Sequence, residues 1–469
     1  MAKRIIVNPV TRIEGHAKII LEVADDGSLA SGHMQVLEIR GFEKLLQGME
    51  LLKMPQMTAR LCGVCPAAHH LVATIGIEQG MGVAPPTDAK LLRELLYAGH
   101  VLHSHALSNF VLTGPDIILG IGAEASKRNV FSLLAIDPDL SKTLLRIRSI
   151  GQRTVEAVGG RGVHPVTAVP GGMASRPSAE QLELIAGWGD EATISLQHVI
   201  ETLKPKLDEL ASLREAAQLP YHSLALSNNG AVDLLEGEWV VVDPEGNEER
   251  RFAGPDYGDH LVEHVMPGSY MKSVQLKGPE PKRFFVGPLA RLNVNATMSS
   301  PKAQEALDAF RAVTSPRLSA VDYIEARLVD MLNCAERMAA IAGSELGDGP
   351  IRTEVPKVTA GRYVGVIEAP RGILVHDYTT DDDGRVAEVN LIVATQNNYD
   401  AIDSAVESMA RHYLPEGDDE KLLNGVEFAM RCFDPCLACA THTAGRMPMT
   451  VEVRRGAEVL RTLRRGGAS

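Results

Sequence analysis

Four of the six cysteines form two Cys-x-x-Cys pairs near opposite ends of a chain of 469 residues. Cys62 and Cys65 make up the first pair, and Cys436 and Cys439 make up the second. Two intervening residues allow both thiolates of a pair to bind one metal ion, so together the pairs can supply a site of four sulfurs. Tetrahedral sulfur ligation suits structural zinc and iron–sulfur clusters alike.

The separation of the two pairs along the chain bears on what such a site would do. Zinc ribbons usually place their pairs about 15 to 20 residues apart, whereas most of the chain lies between these pairs. A protein of this length buries a large core without a metal. The separation therefore favours a functional metal centre, and structural zinc or two unrelated redox or inert pairs are the alternatives.

Polar residues flank both pairs. Arg60 and His69 stand on either side of the first pair, and Asp434 and His442 stand on either side of the second. A cation and imidazoles near thiolates lower the thiol pKa and can donate hydrogen bonds to sulfur. These neighbours suit a reactive metal–thiolate centre.

Hydrophobic periodicity predicts an α+β fold that is mainly α, with a large helical core and small peripheral sheets. One clear pattern predicts a helix over residues 87–112 that is capped by Thr87 or Asp88. Alternating residues predict an N-terminal hairpin of residues 17–23 and 34–40 around a turn at 25–27. Further helices are predicted at 179–216 with a break near Pro205, and at 302–313, 318–342, 400–412 and 420–430. Short strands are predicted within 235–290 and 362–394.

Composition excludes several classes of protein. Hydrophobic residues make up 45% and charged residues 23%, as in folded globular proteins. The net charge of −13 disfavours nucleic acid and anionic membrane surfaces as partners. No apolar run approaches the roughly 18 residues of a membrane span, and no secretory signal pattern is present. We therefore expect a cytoplasmic protein.

The segments at residues 60–69 and 434–442 resemble the two signature motifs of the large, catalytic subunit of nickel–iron hydrogenases. The compact length and residues 390–398 are most similar to the soluble, cofactor-coupled, often bidirectional branch, which includes NAD-reducing enzymes. Other segments that resemble the family are residues 12–16, 41–44, 164–172, 286–291 and 368–372.

The resemblance implies a bimetallic centre. Cys62 and Cys436 would bind nickel terminally, and Cys65 and Cys439 would bridge nickel to an iron that carries carbon monoxide and two cyanides. The activity implied is reversible heterolytic cleavage of H2, which needs a Lewis acid for the hydride and a base for the proton. The thiolate of Cys436 would take that proton, and Glu14 would be the first relay residue, because a carboxyl can both donate and accept.

The resemblance also assigns residues around the centre. Arg371 would lie over the cluster as a fixed, permanently charged donor. Thr395 and His69 would contact the cofactor, and Glu43 and His442 would hold a magnesium or iron ion near the C-terminus. Ser108 stands where many membrane-linked relatives have an aspartate that touches the active-site arginine, so the sequence leaves Arg371 without that partner.

The family implies maturation by a protease that cuts after the histidine of the second motif once nickel-insertion factors have acted. Residues 1–442 would then form one mature catalytic unit. Residues 443–469, whose pattern predicts a hairpin, would be removed.

Electron transfer requires a partner. Only Cys334 and Cys432 remain beyond the four paired cysteines, too few to hold an iron–sulfur relay. Cys334 shares a predicted helix face with Leu332 and Met338, which indicates packing, and Cys432 has no assigned role. We therefore expect iron–sulfur clusters only in a small partner subunit, joined to diaphorase subunits that couple the reaction to NAD(P).

Two other functions fit part of the sequence. Gly120 to Ala125 fit a dinucleotide-binding pattern, with Asp139 about 20 residues on, but a true fingerprint follows a strand. The second alternative is a non-catalytic scaffold related to hydrogenases, such as the quinone-site subunit of respiratory complex I, here with a structural four-sulfur zinc site. Retention of all four paired cysteines favours catalysis.

Overall fold

The computed structural model describes residues 3–39, 41–124, 126–441, 449–455 and 458–465. Its helices are α1 Phe42–Leu46, α2 Met54–Thr58, α3 Pro66–Met81, α4 Thr87–Ala106, α5 Gly114–Leu119, α6 Val130–Ile136, α7 Pro138–Gly159, α8 Ala179–Asp208, α9 Ala211–Ala216, α10 Tyr257–His260, α11 Pro288–Val294, α12 Pro301–Val313, α13 Asp322–Ala340, α14 Ala394–Asn397, α15 Tyr399–Tyr413, α16 Asp419–Cys432 and α17 Leu437–Ala440. Its strands are β1 Lys3–Val7, β2 Ala17–Val23, β3 Leu29–Val36, β4 Ala168–Val169, β5 Gly172–Met173, β6 His222–Ser227, β7 Glu238–Val242, β8 Glu248–Phe252, β9 Leu261–His264, β10 Ser273–Leu276, β11 Phe284–Phe285, β12 Gly361–Ala369, β13 Gly372–Thr380, β14 Val386–Ile392, β15 Met449–Arg455 and β16 Glu458–Arg465.

Long helices form the core, and the sheets are small, as predicted. Helix α4 packs against α7 and α13, and α13 packs against α8. The N-terminal sheet has the order β1-β2-β3, and two further sheets have the orders β11-β6-β7-β8 and β12-β13-β14. The fold is therefore α+β with a predominantly helical core.

Helix α3 lies directly against β12, and glycine makes this approach possible. A Cβ on Gly365 would lie 2.1 Å from the carbonyl oxygen of Val72 and 2.9 Å from the amide nitrogen of Gly76. Only a residue without a side chain fits there. This contact fixes the helix that follows the first cysteine pair against the sheet.

The predicted N-terminal hairpin is present, but its return strand begins earlier than predicted. Strand β2 spans residues 17–23 as predicted, whereas β3 runs from Leu29 to Val36 rather than over 34–40. The turn is tight, with Gly27 at φ +86°, so Val23 already pairs with Leu29. Pairing therefore begins soon after the turn, before the hydrophobic alternation becomes obvious.

The predicted cap of α4 is wrong. Pro86 occupies the N-cap position without a side-chain hydrogen bond, and Asp88 instead accepts a hydrogen bond from Arg176 at 2.9 Å. The helix ends at Ala106 and continues as the π-helical segment Leu107–Leu112. The predicted extent of 87–112 therefore covers two helical geometries.

The other predicted helices correspond to α8, α9, α12, α13, α15 and α16. Pro205 lies inside α8, and the break comes a few residues later, before α9. Sequence periodicity did not identify α3 or α7. Helix α3 is buried on nearly every side, so it has no polar stripe to reveal its period.

The dinucleotide alternative is not supported. Residues 117–119, which would have to form the strand before the glycines, belong instead to helix α5. Strands β15 and β16 pair antiparallel, which confirms the predicted C-terminal hairpin. His442 and residues 443–448 lie outside the described residues. Among the described helices, none has the length and apolar character of a membrane span.

Candidate metal centre

The four paired cysteines converge on one buried point. The sulfur atoms of Cys62, Cys65, Cys436 and Cys439 all lie within 4.8 Å of one another. The two sulfurs of Cys65 and Cys439 are 3.2 Å apart, and those of Cys62 and Cys436 are 3.4 Å apart. The predicted meeting of both chain ends around a four-sulfur site is confirmed.

The local backbone structure positions the sulfurs of each cysteine pair towards the site. Cys62 has an extended conformation, and Cys65 is the N-cap of α3, which begins with Pro66. Cys436 is the N-cap of the one-turn helix α17. In both pairs a chain reversal followed by a helix start places two sulfurs on the same side.

The crowded thiols share protons unequally. Hydrogen bonds with Cys436, Cys439 and Cys62 lower the pKa of Cys65 well below its usual range. Hydrogen bonds with Cys439, Cys62 and Cys65 raise the pKa of Cys436 well above that range. Because neighbouring thiolates repel one another in a buried site, a cation must replace the protons before all four can ionise.

The N-terminal motif at residues 12–16 lies against the second cysteine pair. The carbonyl oxygen of Glu14 accepts a hydrogen bond from the amide of Leu437 at 3.1 Å. Its carboxylate Oε2 accepts another from the amide of Ala438 at 3.0 Å. Burial raises the pKa of Glu14, against the opposing hydrogen bonds with Cys436 and Ala438. Glu14 is thus a carboxyl that contacts a sulfur and holds its proton more readily than usual.

Arg371 projects from the turn between β12 and β13 towards the sulfurs. Burial alone would lower its pKa, but Asp434 and the neighbouring thiolates outweigh burial and raise the pKa well above its usual value. The guanidinium Nη2 lies 3.0 Å from Oδ2 of Asp434, and Nε donates to the carbonyl oxygen of Asp434. Arg371 is therefore a fixed, fully charged donor beside the site.

Asp434 is the carboxylate partner of Arg371. Ser108 is buried, and its hydroxyl has no hydrogen-bond partner among the described residues, so it does not replace the missing aspartate. Asp434, two residues before the second pair, supplies the charge instead. A buried arginine that needs an anion was the signal that could have identified it.

A second arginine holds the turn that carries Arg371. Fully buried Arg291 donates from Nε to Glu368 at 2.9 Å and also pairs with Asp330. Its Nη2 donates to the carbonyl oxygen of Pro370 at 3.1 Å. Arg291 and Glu368 lie in two segments that resemble the family, but no sequence pattern links them to each other or to Asp330, so the network becomes visible only in the fold.

Thr395 lies directly beside the second cysteine pair. Its hydroxyl oxygen accepts a hydrogen bond from the amide of Cys436 at 3.0 Å. Because that bond uses only a lone pair, the hydroxyl proton is available to another acceptor. Thr395 sits on the one-turn helix α14 and is buried.

Arg60 does not act on the cysteines as predicted. It is exposed, and its guanidinium donates to the carbonyl oxygen of Gln56. The cation beside the sulfurs is Arg371 instead. Glu43 is buried on α1, and Cys334 and Cys432 are both buried in the helical core.

Two buried nitrogens beside the sulfurs have no hydrogen-bond partner among the described residues, namely Nε2 of His69 and Nη1 of Arg371. His69 contributes to lowering the pKa of Cys65, so its ring lies next to that sulfur. A bare metal ion offers no acceptor, whereas a metal centre with polar ligands does. The donor set therefore fits a thiolate-bound metal centre, whose sulfurs and any further ligands can act as acceptors.

Comparisons with known proteins agree with this geometry. The family model described as nickel-dependent hydrogenase matches residues 40–135 and 245–442, and one described as HoxL-like matches residues 4–39. The chain is 35% identical to a protein of the vhc F420-non-reducing hydrogenase of Methanococcus voltae, over 98% of this chain and 100% of that protein. It is 34% identical to the beta subunit of the NAD-reducing hydrogenase HoxS of Cupriavidus necator, over 97% of both.

Solved structures give the same result. An NAD+-reducing [NiFe]-hydrogenase in the H2-reduced state matches with a TM-score of 0.90 and 34% identity, over 94% of this chain and 99% of that one. A Ni-Fe-Se hydrogenase of D. vulgaris Hildenborough, at 23% identity and a TM-score of 0.76 over 94% of this chain and 100% of that one, shares the fold. With four converging sulfurs, a buried arginine above them and a match along nearly the whole chain, this protein belongs to the nickel-dependent hydrogenase large-subunit family and is a hydrogenase.

Proposed function

We propose that this chain is the catalytic subunit in which Cys62 and Cys436 bind nickel terminally, while Cys65 and Cys439 bridge nickel to iron. The iron would carry carbon monoxide and two cyanides. The convergence of the four sulfurs within 4.8 Å is the observation that carries the proposal. Soft thiolates favour thiophilic metals over magnesium or calcium.

When bound, the nickel–iron centre supplies a Lewis acid that polarises H2, and the overall reaction yields two protons and two electrons. The protein provides the base. Cys436 Sγ takes the proton from H2 and passes it to the carboxyl of Glu14, which contacts that sulfur. A carboxyl whose pKa is raised by burial is a better match to a proton-relay role near neutral pH than an exposed one.

Three further residues orient the centre. Arg371 has no hydrogen-bond partner at Nη1 among the described residues, so this group would be free to donate to the ligands of the iron and to stabilise negative charge there. Thr395 offers its hydroxyl proton to the same ligands. His69 binds the cysteine sulfurs through Nε2. Burial of all three excludes water from this side of the site.

A second ion is proposed near the C-terminus, as magnesium or iron, with Glu43 and His442 among its ligands. The resemblance of residues 41–44 and of the second cysteine motif to the family supports this assignment, and Glu43 is buried on α1. Metal analysis of the mature protein and of a Glu43→Gln variant tests it: loss of one magnesium or iron per chain supports the site.

The electrons are proposed to leave through a small iron–sulfur subunit, then through diaphorase subunits to NAD(P). The scarcity of cysteines outside the centre supports the first partner. The similarity to an NAD-reducing relative supports the second, although an F420-non-reducing relative is equally similar. The acceptor must therefore be determined directly.

Maturation is proposed to remove residues 443–469 and to leave residues 1–442 as one catalytic unit, through a protease that acts after nickel insertion. The mass of the intact large subunit from active enzyme tests this proposal. A mass that ends at His442 supports it, and a mass of all 469 residues contradicts it.

The decisive experiment purifies the native complex, quantifies nickel, iron and zinc, and assays H2-dependent reduction of NAD, NADP and a deazaflavin in parallel. One nickel per chain together with H2-dependent reduction supports the proposed function. Zinc alone, at one per chain and without H2-dependent reduction, contradicts it and favours the scaffold with a structural four-sulfur site.

A further inference from the structure

A chain of three buried rings leads away from the first cysteine pair. Nδ1 of His69 lies 2.9 Å from Nε2 of His376, and Nδ1 of His376 lies 2.6 Å from the hydroxyl of Tyr378. All three side chains have no exposed surface. His376 and Tyr378 belong to strand β13, whereas His69 belongs to α3. The chain therefore crosses the same α3–sheet contact that Gly365 makes possible.

The short hydrogen bond between His376 and Tyr378 shows which of the two groups donates the proton. N–H···O bonds usually measure about 2.9 to 3.0 Å, and shorter values are typical of O–H donors. At 2.6 Å, the phenol O–H of Tyr378 donates and Nδ1 of His376 accepts. Burial raises the pKa of Tyr378, so the phenol retains the proton that this bond requires.

Thr58 is the other group beside Tyr378. The hydroxyl of Thr58 donates to the carbonyl oxygens of Met54 at 2.8 Å and His69 at 3.0 Å, so towards Tyr378 it can act only as an acceptor. An imidazole nitrogen is a more basic acceptor than an alcohol oxygen. The phenol proton therefore goes to His376.

The donor and the acceptor of the next hydrogen bond follow from this assignment. Burial lowers the pKa of His376 well below its usual value, so this ring is neutral and carries one proton. With Nδ1 of His376 used as an acceptor, that proton is on Nε2 and is donated to Nδ1 of His69. Because Nδ1 of His69 accepts this bond, it carries no proton, and the ring proton of His69 is on Nε2. That ring lies beside the sulfur of Cys65, and its Nε2 has no partner among the described residues.

We propose that Tyr378 and His376 are positioning residues that fix the tautomer of His69, so that its Nε2–H donates to the cysteine sulfurs. In the opposite tautomer a nitrogen lone pair would face the thiolates and repel them. The fixed N–H stabilises thiolate charge and withdraws electron density from the metal-bound sulfurs. The effect on the metals depends on the proposed function, whereas the tautomer itself does not.

The tautomer can be measured without the metals. Nitrogen-15 NMR of the full chain labelled at histidine distinguishes a protonated from a bare ring nitrogen, and a His69→Gln variant assigns the signals. We expect His69 and His376 of the wild-type chain to carry their protons on Nε2. A proton on Nδ1 of His69 in the wild-type chain would overturn the proposal, whatever the variants do.

Variants test the role of each ring. In Tyr378→Phe the donor is lost, and we expect the His69 signals to shift towards the Nδ1–H form. His376→Phe, which cannot donate to His69, should do the same. Tyr363→Phe is the matched control, because Tyr363 is also buried and donates to a carbonyl oxygen, that of Thr359 at 2.8 Å. An unchanged tautomer in both test variants would contradict the proposal.

A second measurement in the assembled complex reports on the centre. Infrared bands of the iron-bound carbon monoxide and cyanides should shift in Tyr378→Phe and His376→Phe and stay in place in Tyr363→Phe. Identical bands in all four proteins would refute the effect on the sulfurs. If the complex lacks these bands altogether, the proposed function fails, and the NMR result still decides the tautomer.

Discussion

Arg371 and Asp434 join the two segments that build the metal centre. Nη2 of Arg371 lies 3.0 Å from Oδ2 of Asp434, and its Nε donates to the backbone carbonyl oxygen of the same residue. Both side chains are almost completely buried. The turn after β12 is thereby fixed to the residues just before the second cysteine pair, which holds the guanidinium next to the sulfurs.

Replacing Asp434 with Asn should destabilise the protein strongly. The variant leaves the guanidinium of Arg371 buried without its anion, and loss of one partner of a buried pair typically costs about 3–5 kcal/mol. Thermal unfolding of the full chain measures the change. Glu248→Gln is the control, because Glu248 pairs with Arg251 at the surface and such pairs contribute about 1 kcal/mol or less. Equal losses in both variants would contradict the importance of burial here.

The helices whose bounds were predicted closely have a polar face that contrasts with their apolar stripe. The helices α12, α15 and α16 carry amphipathic stripes and were placed within one or two residues. Helix α3 is buried nearly all round, so its apolar residues show no period. The burial that hides α3 from pattern analysis is the same burial that makes it a rigid support for the first cysteine pair.

The metal centre could be predicted because the spacing of its cysteines indicates a metal site. Two Cys-x-x-Cys pairs imply a shared metal, and the family motifs supplied Glu14, Thr395 and Arg371. Neither spacing nor motif indicated Asp434 as the partner of Arg371, or His376 as the partner of His69. These are tertiary contacts between segments far apart in the chain, and the need of a buried charge or imidazole for a partner becomes visible only once burial is known.

Removal of a single sulfur ligand should abolish nickel binding selectively. We expect Cys436→Ser to reduce nickel in the purified complex by at least about tenfold, because even supporting residues around metal ligands typically change affinity 10 to 100-fold. Cys334→Ala is the control, since Cys334 is equally buried but lies outside the four-sulfur cluster. Metal analysis by mass spectrometry measures both, and full nickel occupancy in Cys436→Ser would rule out this ligand.

Glu14→Gln should slow turnover while leaving the metals in place. Glutamine still accepts the hydrogen bond from Ala438 but cannot take up a proton. Loss of positioned acid–base chemistry typically costs about 100-fold or more, so H2-dependent acceptor reduction should fall by that factor at unchanged nickel content. Glu22→Gln, which removes a carboxylate that pairs with exposed Arg4, should retain activity. A Glu14→Gln enzyme within about threefold of wild type would exclude Glu14 as the relay.

The carboxyl of Asp403 should make stability depend on pH. Burial, with Asp400 and Glu407 nearby, raises the pKa of Asp403 well above its usual value. As pH rises above the unfolded-state pKa of about 3.9, the unfolded chain releases this proton first, so folding stability falls until the raised pKa is passed. Asp403→Asn can keep the bond from the amide of Met34 and should be more stable than wild type, by an amount that grows as pH rises from about 4.

Thermal unfolding across that pH range checks this prediction. Each pKa unit corresponds to about 1.4 kcal/mol, so the gain should be readily detected at pH 7. Glu305→Gln, at an exposed carboxylate on α12, should show no comparable change. A pH-independent difference between Asp403→Asn and wild type would mean that packing rather than ionisation accounts for the effect.

The approach of α3 to β12 should tolerate no added methyl group. In Gly365→Ala the new Cβ would lie 2.1 Å from the carbonyl oxygen of Val72, so the helix that starts at the first cysteine pair must move away from the sheet. Overpacking of this kind typically costs about 1–3 kcal/mol, and the displaced helix should also lower nickel occupancy. Gly187→Ala is the matched control, because nothing lies within 4 Å of its Cβ position on α8 and a helical alanine should stabilise by up to about 1 kcal/mol. We therefore expect thermal unfolding to show a less stable protein for Gly365→Ala and a more stable one for Gly187→Ala. Metal analysis should find less nickel only in Gly365→Ala. A stabilised, nickel-replete Gly365→Ala protein would show that the contact does not position the centre.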